Sequence, residues 1–92
     1  MEGVYKKAIE KWGVTAQLEM AQEESTELAL AVRKFIRKQD DQSFASMADE
    51  IADVEIMIEQ IKFIYPEIAT VIEIQKKFKV ERLEKRIDNN VF

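Results

Sequence analysis

Neither cysteine nor histidine occurs anywhere in the chain. Without cysteine there is no disulfide and no thiolate metal site. Without histidine the commonest general base is missing, and so is the nitrogen ligand that zinc and di-iron centres favour. Any metal held here is held by oxygen, which points to magnesium or manganese. Turn formers are equally scarce, with two glycines and one proline. So few breakers favour a small number of long helices. No apolar run approaches a membrane span, so no membrane partner is expected. The first stretch, MEGVYKKAIEKW, mixes charges of both signs and has no apolar segment. No signal peptide is expected there, and the expected location is cytoplasmic.

What is present fits one globular domain over residues 1–92, with 47% hydrophobic and 35% charged residues. A chain of this length buries only roughly 60–65% of its unfolded surface, so a lone copy has a thin core. The net charge of −4 conceals a split: residues 1–74 carry −7 and residues 75–92 carry +3. An acidic body with a basic tail argues against general nucleic-acid binding. It suits a small anionic ligand, bridged by metal on one side and met by Lys or Arg on the other.

Apolar spacing predicts four helices. The first covers 4–12 and ends at Gly13. The second runs from a Thr15 cap to Arg37, with Leu18, Ala21, Leu28, Val32, Phe35 and Ile36 as its apolar stripe. The polar run KQDDQS is expected as a loop, with Asp41 or Ser43 capping a third helix over 44–64. Met47, Ile51, Val54, Ile58, Ile61 and Ile64 form its stripe. Pro66 marks a break before a fourth helix over 67–88, which Asn89 and Asn90 end. The fold class expected is all-α and four-helix-bundle-like.

Two carboxylate pairs interrupt these stripes. Glu24 and Glu27 lie three apart in QEESTE, and Glu50 and Asp53 lie three apart in ADEIADVE. That spacing puts each pair on one helix face. A short connection packs the two helices antiparallel, so the pairs can face each other. Inward carboxylates repel, and a site of this kind needs protons or a divalent cation. A solvated acidic face explains Glu19, Glu59 and Glu73. It explains the two pairs poorly, because few basic residues lie within a turn of them. Trp12, Phe35, Phe44 and Phe63 are expected in the core.

The motifs Glu23-Glu24-Ser25-Thr26-Glu27 and, after a 22-residue gap, Glu50-Ile51-Ala52-Asp53 match an EExxE then ExxD order. In this respect the chain resembles the MazG-like all-α nucleoside triphosphate pyrophosphohydrolases over roughly residues 10–87. The text WG, AQLEMAQEESTELALAV and MADEIADVEIMIEQI is also similar to that family. The resemblance implies a MazG-type fold and a Mg²⁺-dependent enzyme, with Mn²⁺ as a second candidate ion. Its reaction would cleave a nucleoside triphosphate to the monophosphate and pyrophosphate. Glu24, Glu27, Glu50 and Asp53 would be the metal ligands. Glu23, with Glu24, would serve catalysis by orienting a ligand or poising the attacking water. Lys79, Arg82 and Arg86 share one face of the last helix and would bind substrate phosphates. Val80 and Glu81 stand where the family often shows an asparagine.

Two other readings remain open at this level: a non-catalytic helical interaction or regulatory module, and a phosphoribosyl-ATP pyrophosphohydrolase-type activity. A ferritin-type di-iron bundle needs histidine ligands and is excluded. The thin core and the resemblance together imply a homodimer or homotetramer, with the site partly built across an interface.

Overall fold

The computed structural model describes residues 2–90; Met1, Val91 and Phe92 of the expected domain lie outside the described residues. The described chain is all-α, in the order α1 (Glu2–Trp12), α2 (Val14–Lys38), α3 (Asp41–Ile64) and α4 (Ile68–Asp88). Gly13 alone separates α1 from α2, with φ 88° and ψ 162°. Only glycine adopts that backbone region without strain. Its amide donates to the Ile9 carbonyl at 2.7 Å, closing α1, and its carbonyl accepts from the Gln17 amide at 3.3 Å, opening α2. Thr15 is therefore inside α2 and is not its cap; no side chain caps that end.

The α2–α3 connection is shorter than the expected loop. Gln39 ends α2 in the left-handed region, its amide donating to the Phe35 carbonyl at 2.8 Å. Asp40 is the N-cap of α3, where Asp41 or Ser43 was expected. The Ser43 amide donates to Asp40 Oδ1 at 2.8 Å, and the Asp40 amide donates to Ser43 Oγ at 3.3 Å. Ser43 Oγ also donates to the Asp40 carbonyl at 3.1 Å. This reciprocal capping box satisfies orphan amides of the first turn, so the polar residues 41–43 join the helix.

The tight connection folds α2 and α3 into an antiparallel hairpin, which carries most of the tertiary packing. Phe35 meets Phe44 edge-on near the connection, with ring centroids 5.8 Å apart. The seam differs from the apolar stripes expected. On α2 the less exposed positions include Val14, Gln17, Ala21, Glu24, Leu28, Ala31 and Phe35; on α3 they include Ser43, Met47, Glu50, Val54, Met57, Ile61 and Ile64. Both sets alternate steps of three and four, the spacing of a coiled-coil seam. Leu18, Val32, Ile36, Ile51 and Ile58, expected inside, are exposed. Gln17 and Glu50 take the contact face beside Leu18 and Ile51, and Ala31, Phe35 and Met57 take it beside Val32, Ile36 and Ile58.

α1 packs across the hairpin through Tyr5 and touches both α2 and α3. Among the described residues only Tyr5 and Met57 are buried apolar side chains. α4 follows Pro66 and extends away, without substantial packing on the other helices. Trp12, at 60% exposed, lies at the surface and is not the core residue expected; Phe44 is also largely exposed, outside its contact with Phe35.

The capping box makes the Asp40 carboxyl a stability determinant. Hydrogen bonds from Ser43, first the side chain and then the backbone, hold its pKa below the ordinary aspartate value. A depressed folded-state pKa gives stability that is present above the unfolded pKa and lost as pH falls through the folded one. Asp40→Ala is expected to lower Tm by a few degrees at neutral pH. The difference from the parent should shrink as pH drops below the aspartate range, and a pH series of thermal melts by circular dichroism checks this.

Candidate metal centre

The hairpin register brings the two acidic motifs to the same level. Glu24, Glu27 and Glu50 each offer a carboxylate oxygen within 4.8 Å of the others. A second trio, Asp49, Glu50 and Asp53, meets the same condition and shares Glu50 with the first. The four residues expected to hold a metal therefore fall into two overlapping groups. Asp49 joins them. Its spacing of four from Asp53 places both on one face. Glu23 is exposed and belongs to neither group.

Among the described residues no cation pairs with these carboxylates. The ion pairs among the described residues are Lys62 with Glu59 and Lys76 with Glu73, each at 3.7 Å, the first half-buried at Lys62 and the second exposed. Neither involves the motifs. Ser25 and Thr26 sit inside the first motif, but their hydroxyls donate backward to the Ala21 and Gln22 carbonyls at 2.8 and 3.1 Å. Glu24 Oε2 and Glu50 Oε2 are consequently buried with no hydrogen-bond partner. One belongs to each helix. Buried oxygens without donors are costly and demand a proton or an ion.

The electrostatics agree. Burial pushes the Glu24 carboxyl above its ordinary pKa, and the charges of Glu27, Asp53 and Glu50 push it further. Burial also raises Glu50, followed by the charges of Glu27, Asp53 and Asp49. An all-oxygen donor set with orphaned carboxylate atoms fits a hard divalent cation such as Mg²⁺ or Mn²⁺.

The basic residues are elsewhere. Lys79 and Arg82 line a cleft of about 440 Å³ with Gln75, Phe78, Glu81 and Lys85, all on α4. Arg86 is exposed on the same helix and does not line that cleft. No residue of α2 or α3 contributes to it, so within one chain the cationic face and the carboxylates are not joined. A different feature lies two turns from the carboxylates, where Gln17 and Gln60 are buried at 6% and 5% exposure. The apolar stripes did not reveal them, although Gln17 and Glu24 are seven apart and so share a seam. Among the described residues no helix is long and apolar enough to cross a membrane. Comparison with protein-family models, characterised proteins and solved structures finds no match for this chain.

The raised pKa values fix a sign. A carboxyl whose pKa is higher folded than unfolded is relatively stabilising when protonated, and that advantage is lost as pH rises through the folded pKa. In EDTA at neutral pH, Glu24→Gln and Glu50→Gln are therefore expected to melt a few degrees above the parent. The gap should close as pH falls into the carboxylate range. Mg²⁺ or Mn²⁺ should raise the parent's Tm and leave the Gln variants nearly unmoved. Variants that melt below the parent in EDTA at neutral pH would show that these carboxylates are not in conflict.

Proposed function

We propose that the chain is a Mg²⁺-dependent nucleoside triphosphate pyrophosphohydrolase with a MazG-type fold. The observation that carries this reading is the pair of buried, partnerless oxygens on Glu24 and Glu50, one from each motif of the EExxE and ExxD pattern. The reaction would cleave a ribo- or deoxyribonucleoside triphosphate between the α- and β-phosphates.

Glu24, Glu27, Glu50 and Asp53 would hold the cation. When bound, it supplies charge neutralisation, phosphoryl polarisation and a more acidic water. Glu24, whose pKa is raised as that of Glu50 is, would accept a proton from the attacking water. Glu23, one residue away at the exposed rim, would orient that water or a ligand. The apolar surround of the seam strengthens these charges by limiting water around them.

The substrate's negative charge needs a cationic partner, which Lys79, Arg82 and Arg86 would supply. The cleft that Lys79 and Arg82 line lacks any α2 or α3 residue, so the reading places this basic face on the carboxylates of a neighbouring copy. Surface area supports an assembly. The chain exposes 7529 Å², whereas a compact monomer of this mass exposes about 5,500 Å². Its radius of gyration is 16.4 Å, against roughly 12 Å for a compact chain of this length. Val71, Ile74 and Phe78 form an exposed apolar stripe on α4, and Ile51 and Ile58 expose another on the hairpin. A homodimer or homotetramer would cover both.

A panel of NTPs and dNTPs with Mg²⁺ should yield pyrophosphate and the monophosphate for at least one nucleotide. Glu50→Gln and Asp53→Asn should lower kcat by about 100-fold or more, as loss of an essential ligand does. Orthophosphate as the first product would overturn the α–β cleavage, and no turnover with any nucleotide would leave the helical interaction module as the better reading. Sedimentation at micromolar protein should give a dimer or larger, and Phe78→Glu should shift it toward monomer; a monomeric parent would refute the assembly.

A further inference from the structure

Gln60 is 5% exposed, and its Oε1 is buried with no hydrogen-bond partner. Gln17, 6% exposed, is its counterpart on α2. The hairpin register relates them. Phe35 meets Phe44, and Glu27 lies with Glu50. Continued along the antiparallel pair, the same register sets Gln17 at the level of Gln60. Apolar side chains would stabilise this level better, because a buried amide atom without a partner costs free energy. The unpaired oxygen of Gln60, with Gln17 buried at the same level, is a constraint in search of a ligand.

Their position defines that ligand. Gln17 lies seven residues from Glu24, and Gln60 lies seven from Asp53. Each interval is two helical turns, about 10 Å along the axis. That is the reach from an α-phosphate, across a ribose, to the far edge of a base. Gln17 also lines an open cleft of about 320 Å³ with Trp12, Ala16 and Met20. The Trp12 ring is exposed there, with Lys11 Nζ 5.3 Å from its centroid. An exposed indole beside apolar side chains is a stacking surface for a planar heterocycle. An amide, with donor and acceptor side by side, matches the hydrogen-bonding edge of a base.

We infer that the Gln17–Gln60 level of the hairpin, walled by Trp12, is the base-recognition end of the site. Gln60 Oε1 accepts from an N–H on the base edge, Gln17 makes the outer hydrogen bond, and Trp12 stacks on the ring. The inference rests on the nucleotide hydrolase reading and adds which residues choose the base.

The test compares kcat/KM for every NTP and dNTP between the parent and Gln60→Met, Gln17→Met and Trp12→Ala, with a thermal melt of each. The parent should prefer one base. Gln60→Met should reduce that preference about tenfold or more, because a site built to hydrogen-bond its ligand discriminates through those bonds. Its Tm should hold or rise, because an apolar side chain of similar shape removes the unpaired amide. Gln17→Met should weaken the same preference, and Trp12→Ala should raise KM for all nucleotides. Two outcomes overturn the inference and spare the hydrolase: a parent that hydrolyses all bases equally, or glutamine variants that keep the parent's ranking while losing stability. A parent that releases pyrophosphate from no nucleotide overturns both.

Discussion

Carboxylates occupy the seam of the α2–α3 hairpin, where antiparallel helices ordinarily bury aliphatic side chains. Glu24 and Glu50 hold seam positions in a regular three-four alternation, and each has one oxygen shut away from water and from any donor. The hairpin closes on them because its tight two-residue connection, its capping box and its Phe35–Phe44 contact fix the register. Packing thus forces like charges together, and the cost appears as raised pKa values on both helices. A sequence optimised for stability alone would place leucine there. Local violations of the folding rules that persist despite such a cost are characteristic of functional positions.

The same conflict shapes the surface. With Gln17 and Glu50 in the seam, Leu18 and Ile51, one position away, are turned out. Ile51 and Ile58 are exposed because Glu50 and Met57 take the seam. The single chain is left with a thin core, an apolar flank and an unpacked amphipathic helix. α4 is net basic, whereas the hairpin is net acidic. In the assembly proposed above, its apolar stripe and its lysines and arginines would meet the flank and carboxylates of a second copy. In the proposed assembly, one association step both covers the apolar surface and brings cations to the phosphates.

Helix number and approximate extent were legible in the sequence. With so few glycines and a single proline, breaks could occur only near Gly13, the KQDDQS run and Pro66, and the helices do end there. Boundaries were less legible where polar residues belong to a first turn. Asp41 and Gln42 read as loop by polarity but lie inside α3, because Asp40 and Ser43 satisfy each other's backbone amides. The seam itself was read one position off in places. Hydrophobic periodicity tracks aliphatic residues, and here several seam positions are polar.

The sequence by itself determined the chemistry on offer: oxygen-only ligands, because cysteine and histidine are absent, and two carboxylate pairs at helical spacing on neighbouring helices. Tertiary structure decided which oxygens are trapped. It orphaned Glu24 Oε2 and Glu50 Oε2, added Asp49 to the cluster and left Glu23 outside. It also buried Gln17 and Gln60 while exposing Trp12, and it kept α4's cationic face away from its own chain's carboxylates. These outcomes depend on the register and crossing of helices distant in sequence. A periodic pattern specifies which residues share a face; only packing specifies what that face meets.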